Sequence, residues 1–450
     1  DEALLEEVAA MVEWPVAVTG RFEERFLQVP QEALISTMKA NQKYFHVVDG
    51  EGRLLPRFIT IANIESRDPD VVREGNERVI RPRLADAEFF WNQDRKQPLD
   101  AHVERLATIL FQQKLGTLHD KAARVEHLAT WIAARIGGDE TWARRAAWLA
   151  KCDLMTEMVY EFPELQGIMG RYYAAADGEP EEVSRAMEEQ YLPRFAGDRL
   201  PGTRTGQALA VADKLDTVCG LFAIGQPPTG SKDPFALRRN ALGALRILIE
   251  GGLDIDLESL LEEARQALGE RVETDDLTGQ VFDFMMERLR AWYHDQGVAP
   301  DSFEAVLARR PTRPLDFHHR LLAVSHFRSL PEAEALAAAN KRIANILRQA
   351  REKGIDFPER VETARLESEP ERDLAEAVER LEQEVGPLAE AGEYEPALGR
   401  LASLREVVDR FFDQVMVMVD DPPLRGNRLA LLARLQALFL RVADISRLQA

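Results

Sequence analysis

The sequence predicts a mainly helical, multidomain protein with a smaller α+β region at its N-terminus. Beyond about residue 100, apolar residues recur at the three- and four-residue spacing of helices, as in Val125, Leu128, Ala129 and Ile132. Short β-branched and aromatic runs, which are typical of strands, occur before that point. The 450 residues, of which 45% are hydrophobic and 30% charged, are typical of a soluble globular chain with roughly two to four cores.

We predict three domains: an α+β domain at 1–100, a helical domain at 101–330 and a second helical domain at 331–450. In the first domain, predicted strands at 44–48 and 54–64 flank Asp49-Gly50-Glu51-Gly52, a sequence suited to a hairpin connection. In the last domain, Ser403-Leu404-Arg405-Glu406 has the pattern of a capping box and predicts the start of a helix.

Charge and cysteine content narrow the class of protein. The formal net charge is −20, which argues against a protein that is basic all over but leaves room for local basic patches. Only Cys152 and Cys219 are present, without a CxxC pair, so we expect a reducing, cytoplasmic compartment and no disulfide scaffold. No apolar run reaches the roughly 18 residues that span a bilayer, and we predict no membrane contact.

The most informative stretch is 207–249, where two carboxylates and a basic segment lie close together in sequence. Asp213 and Asp216 occupy one predicted helix, and a Gly/Pro-rich loop follows it. Asp233-Pro234 then predicts a new helix beginning at Pro234, because Asp is a good N-cap and Pro suits the first helical position. The basic residues of this segment are Lys232, Arg238, Arg239 and Arg246. An anionic partner is expected to bind here.

One interpretation of the helical domain is a metal-dependent HD-type phosphohydrolase, in which His and Asp ligands polarise a water molecule. Asp153, Asp213 and either His119 or His127 would supply part of the ligand set. The residue before Asp153 is Cys152, however, where the adjacent ligand should be His, and a thiolate suits an oxygen-rich phosphatase centre poorly. We therefore expect a degenerate HD site at His127, Cys152, Asp153 and Asp213, and no bound metal.

Other catalytic classes find little support in the sequence. Neither GxxxxGK[ST] nor a glycine-rich dinucleotide fingerprint is present, and Gly230-Ser231-Lys232 lacks the upstream glycine of a P-loop. No GxSxG motif occurs, and Cys219 in its apolar run is expected to be a core thiol. We predict no catalytic residues in this chain.

Polynucleotide binding is better supported, because Arg and Lys cluster locally in an acidic chain. The clusters lie at 232–246, 309–328, 341–353 and 425–441. Arg side chains hold phosphates, and side-chain amides or stacking groups read exposed bases. Any single cluster is more often a solvated face, so the inference depends on the four together.

Several long phrases of the chain resemble the beta subunit of the bacterial heterotetrameric glycyl-tRNA synthetase. They include LAKCDLMTEMVYEFPELQGIMGRYYA at 149–174, ADKLDTVCGLFAIGQPPTGSKDPFALRR at 212–239 and FFDQVMVMVDDPPLRGNRLALLARL at 411–435. The similarity runs nearly end to end, and it implies the C-terminal two-thirds of that family's subunit.

The resemblance implies an HD-like helical domain with a degenerate metal site, followed by a C-terminal DALR-type helical anticodon-binding domain. It also implies an alpha partner subunit, in an α2β2 heterotetramer, that holds the aminoacylation core. ATP and Mg are then expected at the alpha subunit, with no cofactor in this chain. The expected function is recognition of tRNAGly in support of glycine attachment.

The resemblance further suggests which residues contact tRNA. The candidates for the anticodon arm are Asn340, Lys341, Arg342, Asn345, Arg425, Asn427 and Arg428. Lys232, Arg238 and Arg239 are candidates for the acceptor side or the backbone. An alternative remains open for Asn345 and Asn427, which could instead cap or brace helices. A purely structural scaffold for the alpha subunits is a further alternative.

Overall fold

The computed structural model describes residues 1–271 and 274–449. Its strands are β1 (Val16–Arg21), β2 (Phe45–Val48), β3 (Leu54–Ala62), β4 (Leu110–Gln112) and β5 (Gly116–Thr117). Its first helices are α1 (Glu2–Met11), α2 (Gln31–Gln42), α3 (Pro69–Asp94), α4 (Leu118–Ile136), α5 (Glu140–Leu149), α6 (Glu157–Glu161), α7 (Ile168–Ala176), α8 (Glu181–Glu189) and α9 (Arg204–Ala223).

The remaining helices are α10 (Leu237–Glu250), α11 (Leu257–Leu268), α12 (Leu277–Asp295), α13 (Pro300–Leu307), α14 (Pro314–Arg328), α15 (Ala333–Glu352), α16 (Glu369–Glu390), α17 (Tyr394–Ala402), α18 (Arg405–Gln414) and α19 (Pro422–Leu440). The predicted class, mainly helical with a mixed N-terminal region, is confirmed. Within the described residues, no helix is long and apolar enough to cross a membrane.

The chain divides into two compact units. The first comprises 1–244 with 263–277, and the second comprises 245–262 with 278–450. One compact unit of this size can contain several domains. The three predicted domains, and the assignment of an HD-like fold to the middle one, therefore stay predictions.

The N-terminal part of the first unit holds a three-stranded antiparallel sheet in the order β1-β3-β2. The predicted hairpin joins β2 to β3, as Asp49 N–H donates to Arg53 O at 2.9 Å. In β1, Gly20 lies opposite Phe58, and a Cβ added at Gly20 would come within 2.3 Å of the Phe58 ring. Only glycine fits at this position, because any side chain would displace a fully buried aromatic ring of the core.

Helices pack around α9 in the rest of the first unit. Nearly all of α9 is buried, and it contacts α4, α5 and α8. In the second unit, α15 and α16 both pack against α18 and α19, while α17 packs on α14 and α16. Amphipathic spacing explains these contacts: Leu336, Ile343 and Leu347 of α15 share one buried face.

Candidate functional site

The exposed face of α15 carries three of the predicted tRNA-binding residues. Lys341, Arg342 and Asn345 are exposed, whereas the opposite face of the helix is buried. The Arg342 guanidinium lies 4.3 Å from the centroid of the Phe412 ring, in a cation–π arrangement. Within the described part of the chain, neither Lys341 nor Arg342 forms an ion pair. Both charges are therefore free to bind an anion.

Two other predicted contacts, Asn340 and Asn427, lie in the interior. Asn340 is 3% exposed, and its side-chain amide donates to Leu336 O at 3.0 Å within α15. Asn427 is 1% exposed, and its side chain brackets one peptide, accepting from Glu362 N–H at 2.7 Å and donating to Glu362 O at 3.1 Å. For Asn427, these contacts agree with the alternative that its side chain braces the structure and does not contact tRNA.

Arg428 and Arg425 of α19 are also bound by the protein itself. Arg428 Nε donates to Glu371 Oε1 at 2.8 Å, its Nη2 contacts the same oxygen, and Glu371 is fully buried. The Nη1 of Arg428 donates to Met416 O at 2.8 Å, and Arg425 Nη1 donates to Val419 O at 3.0 Å. Both arginines thus hold the backbone of the segment that joins α18 to α19.

That segment, residues 415–419, contains exposed apolar side chains that the sequence reasoning missed. Met416 is 72% exposed and Met418 37% exposed, while Val415 and Val417 are buried. The sequence Val-Met-Val-Met-Val carried a signal, because period-two alternation indicates an extended segment with one buried face. The spacing of Val407, Val408 and Phe411 instead predicts one helix that continues to Asp420 and buries Phe412, Val415 and Met418. This prediction is wrong, because α18 ends at Gln414 and Met418 is exposed.

In the first unit, the predicted basic segment lies at the start of α10. Lys232 and Arg239 are exposed, and neither forms an ion pair among the residues that the structure describes. Arg238 is half-buried, and its Nη2 donates to Gly230 O at 2.8 Å. Asp233 accepts from Leu237 N–H at 2.7 Å and from Arg238 N–H at 3.0 Å.

The predicted start of this helix at Pro234 is wrong by three residues. Helix α10 begins at Leu237, and Ala236 just before it has a φ of 53°. This left-handed backbone conformation is incompatible with a continuous helix from Pro234. Asp233 still accepts from the first two amides of the helix, but it lies four residues before Leu237 and not at the N-cap position.

The predicted degenerate HD residues have separate environments. His127 is exposed, and its Nε2 lies 2.5 Å from Glu263 Oε1. Cys152 is buried, and burial raises the pKa of its thiol to about 12. Asp153 is 1% exposed, and its Oδ2 accepts from Gly167 N–H at 2.5 Å and from Gly170 N–H at 3.2 Å.

Asp213 contacts ammonium groups instead of a metal-ligand set. Its Oδ1 lies 3.3 Å from Lys121 Nζ and 3.3 Å from Lys151 Nζ. Burial acts to raise the pKa of Asp213, but these lysines outweigh it and hold the pKa well below its ordinary range. Across the described residues, no group of three or more His, Cys, Asp or Glu side chains is arranged to hold a metal ion. The donor set around Asp213 does not fit a divalent cation.

A second carboxylate, Asp216, is 2% exposed and completes this charged cluster. Lys121 Nζ donates to Asp216 Oδ2 at 3.0 Å and to Thr217 Oγ1 at 2.8 Å. Arg124 contacts both Asp216 oxygens, at 2.6 and 3.2 Å. A buried charge is strongly destabilising unless it is paired, and each charge of this cluster has an opposite charge within contact distance.

Comparisons with known proteins give a consistent result. A family model described as glycyl-tRNA synthetase beta subunit matches residues 1–308, and one described as DALR anticodon binding domain matches residues 336–445. These matches give no support to the phosphohydrolase alternative. The second match includes α15, α18 and α19.

Curated relatives match along the whole chain. The glycine–tRNA ligase beta subunit of Hahella chejuensis is 58% identical over 449 residues, which is 100% of this chain and 64% of that protein. Those of Chromohalobacter salexigens and Sodalis glossinidius are 58% and 57% identical, each over 100% of this chain and 65% of the relative. The chain thus spans 64–65% of the length of these relatives.

Proposed function

The chain belongs to the glycyl-tRNA synthetase beta subunit family, and on that premise we propose that it is a tRNA-recognition part of a glycine–tRNA ligase. The observation that carries the proposal is the exposed face of α15. Lys341 and Arg342 lie there without ion-pair partners among the described residues, in a region that matches an anticodon-binding domain. In a chain of net charge −20, uncompensated positive charges at one surface favour a phosphate-bearing partner.

The proposal extends to the assembly and the chemistry. The relatives are named beta subunits, which implies an alpha partner. We propose that the alpha subunit holds the site where glycine, ATP and Mg react, that the two subunits form an α2β2 heterotetramer, and that the complex acts in the cytoplasm. In this scheme, the contribution of this chain to the reaction is to bind and orient tRNAGly.

A salt titration of tRNAGly binding, with and without the alpha subunit, tests this function. Neutralising one phosphate with a lysine contributes roughly −0.7 to −0.9 to the slope of log K against log salt. Lys341→Ala should therefore weaken binding and make the slope shallower by about one. Adenylate formation by the alpha subunit should be unaffected, since no RNA takes part in that step.

Arg348→Ala is a matched control, because Arg348 lies on the same helix as Lys341 and its substitution also removes one positive charge. Its guanidinium is already paired with Glu352 at 2.9 Å, and the pair is exposed. We expect a smaller change in the salt slope than for Lys341→Ala. Absent or salt-insensitive binding of tRNAGly by the unaltered protein would contradict the proposal and favour the scaffold alternative.

A further inference from the structure

The segment 415–419 displays methionine side chains on a fixed backbone. Val415 and Val417 are 6% and 5% exposed, so they anchor the segment in the core, and Met416 and Met418 extend from its outer side. Exposure of 72% is high for a methionine, whose thioether side chain normally fills core gaps. Such exposure of apolar groups on an ordered segment is typical of a contact surface.

Two partly buried hydrogen bonds hold this backbone in place. Arg428 donates to Met416 O and is itself held by the fully buried Glu371, and Arg425 donates to Val419 O. The segment therefore does not need to reorganise before it binds a partner, which lowers the entropic cost of association.

An aromatic ring and two free charges lie on the helices beside this segment. Phe412 is three residues before Val415, is half-buried and packs edge-on against Phe411, with the ring planes at 80°. The Arg342 guanidinium covers the Phe412 ring, and Lys341 is the next residue on α15. Helices α15 and α18 are in direct contact.

We propose that Met416 and Met418 form a nucleobase platform beside the Phe412 ring, on which unpaired bases of single-stranded RNA stack while Lys341 and Arg342 bind the phosphates. The inference rests on the proposed function and assigns it a surface. Sequence-tolerant single-strand binding combines a cationic track with stacking groups, and this surface provides both. The exposed Asp413 and Asp420 repel phosphates, so the backbone is directed toward α15.

Binding assays with Met416→Ala test the platform. In the full chain, the substitution should raise the Kd for tRNAGly about two- to tenfold. This range corresponds to the loss of one favourable contact between a thioether and an aromatic ring. The salt slope should stay unchanged, because no charge is removed. Met11→Ala is the control, since Met11 is a methionine that is 55% exposed at the end of α1 and lies outside the four basic clusters, and it should leave the Kd unchanged.

A double-mutant cycle shows whether the contact is made to a base. tRNAGly with abasic nucleotides in the anticodon keeps its phosphates but offers nothing for Met416 to stack on. The effect of Met416→Ala should disappear with this RNA if base and methionine touch, and should persist if they do not.

The outcomes separate the platform from the proposed function. If the unaltered protein binds tRNAGly and Met416→Ala binds equally well, the platform is overturned and the function stands. If the unaltered protein fails to bind tRNAGly, the function itself is overturned. If Met416→Ala weakens only assembly with the alpha subunit, the surface binds protein and the RNA platform is wrong. Circular dichroism of each variant confirms that it is folded.

Discussion

Among single residues, Asp153 shows most clearly how burial sets a charge state. Its Oδ2 accepts two backbone amides, but its Oδ1 is buried and has no hydrogen-bond partner among the described residues. Burial raises the pKa of Asp153 to about 6, although the two amides and Lys151 act in the opposite direction. The folded state therefore binds this proton more tightly than the unfolded state, in which the pKa is close to 3.8.

Asp153→Asn should stabilise the protein at neutral pH. The amide oxygen can keep the Gly167 and Gly170 bonds, while the NH2 group replaces the unpartnered Oδ1, so a buried charge is lost without losing a contact. The stabilising contribution of the protonated carboxyl is fully present below about pH 4 and lost as the pH rises through about 6. We expect a gain of about 2–3 kcal/mol at pH 8 that shrinks toward zero by pH 4, as measured by urea unfolding.

Asp213→Asn is the control for this experiment, because its pKa is shifted in the other direction. The carboxylate of Asp213 is stabilised by Lys121 and Lys151, so its contribution is present above about pH 4 and lost at lower pH. This variant should be less stable than the unaltered protein at pH 8. Equal pH profiles for the two variants would contradict the assigned environments.

At the scale of secondary-structure elements, two ion pairs join α16 to α19 and differ mainly in burial. Glu371–Arg428 is buried, with side chains 0% and 9% exposed, whereas Glu382–Arg434 is partly exposed, at 32% and 27%. Arg428→Ala leaves a buried carboxylate unpaired and should destabilise the second unit by about 3–5 kcal/mol. Arg434→Ala should cost less than about 1 kcal/mol.

Denaturant unfolding measured by circular dichroism checks this comparison. Arg428→Ala should also weaken tRNAGly binding by releasing Met416 O, so its RNA phenotype follows from a structural defect. Lys341→Ala should weaken binding at unchanged stability, since Lys341 is exposed. Similar unfolding midpoints for Arg428→Ala and Arg434→Ala would rule out the buried pair as the main link between α16 and α19.

The helices were predictable from the sequence because apolar spacing is a local signal, as on α4 and α15. Contacts between distant residues were not: Asn427 and Arg428 bind Glu362 and Glu371, which lie 65 and 57 residues away in the chain. From the sequence, Arg428 is an arginine that could bind a phosphate. Only the fold shows that its guanidinium is already paired with the buried carboxylate of Glu371.

Local signals also failed where the chain offered a competing bond. The predicted capping box at Ser403 is wrong, because Ser403 Oγ donates to Arg400 O at 2.8 Å. Helix α18 begins at Arg405 with Leu404 as its N-cap and without a side-chain cap. A hydroxyl at the end of one helix can bind backward to that helix as readily as forward to the next.

At the scale of the whole molecule, the free positive charges occur in both compact units. Lys232 and Arg239 lie in the first unit, and Lys341 and Arg342 in the second, all without ion-pair partners among the described residues. Because the net charge of the chain is −20, the protein as a whole repels RNA, and any affinity for RNA must come from these local positive patches. Two patches on separate units favour contacts to two parts of one tRNA.

The two patches should therefore be separable with RNA fragments. The double variant Lys232→Ala/Arg239→Ala should weaken binding of an acceptor-stem minihelix of tRNAGly and leave an anticodon stem-loop unaffected. Lys341→Ala should show the reverse preference. With intact tRNAGly, the combined variant should lower the salt slope by about three, since each lost phosphate contact contributes roughly one. If both sets of substitutions weaken the same fragment, the patches serve one part of the RNA, and the acceptor-side prediction for Lys232 and Arg239 is wrong.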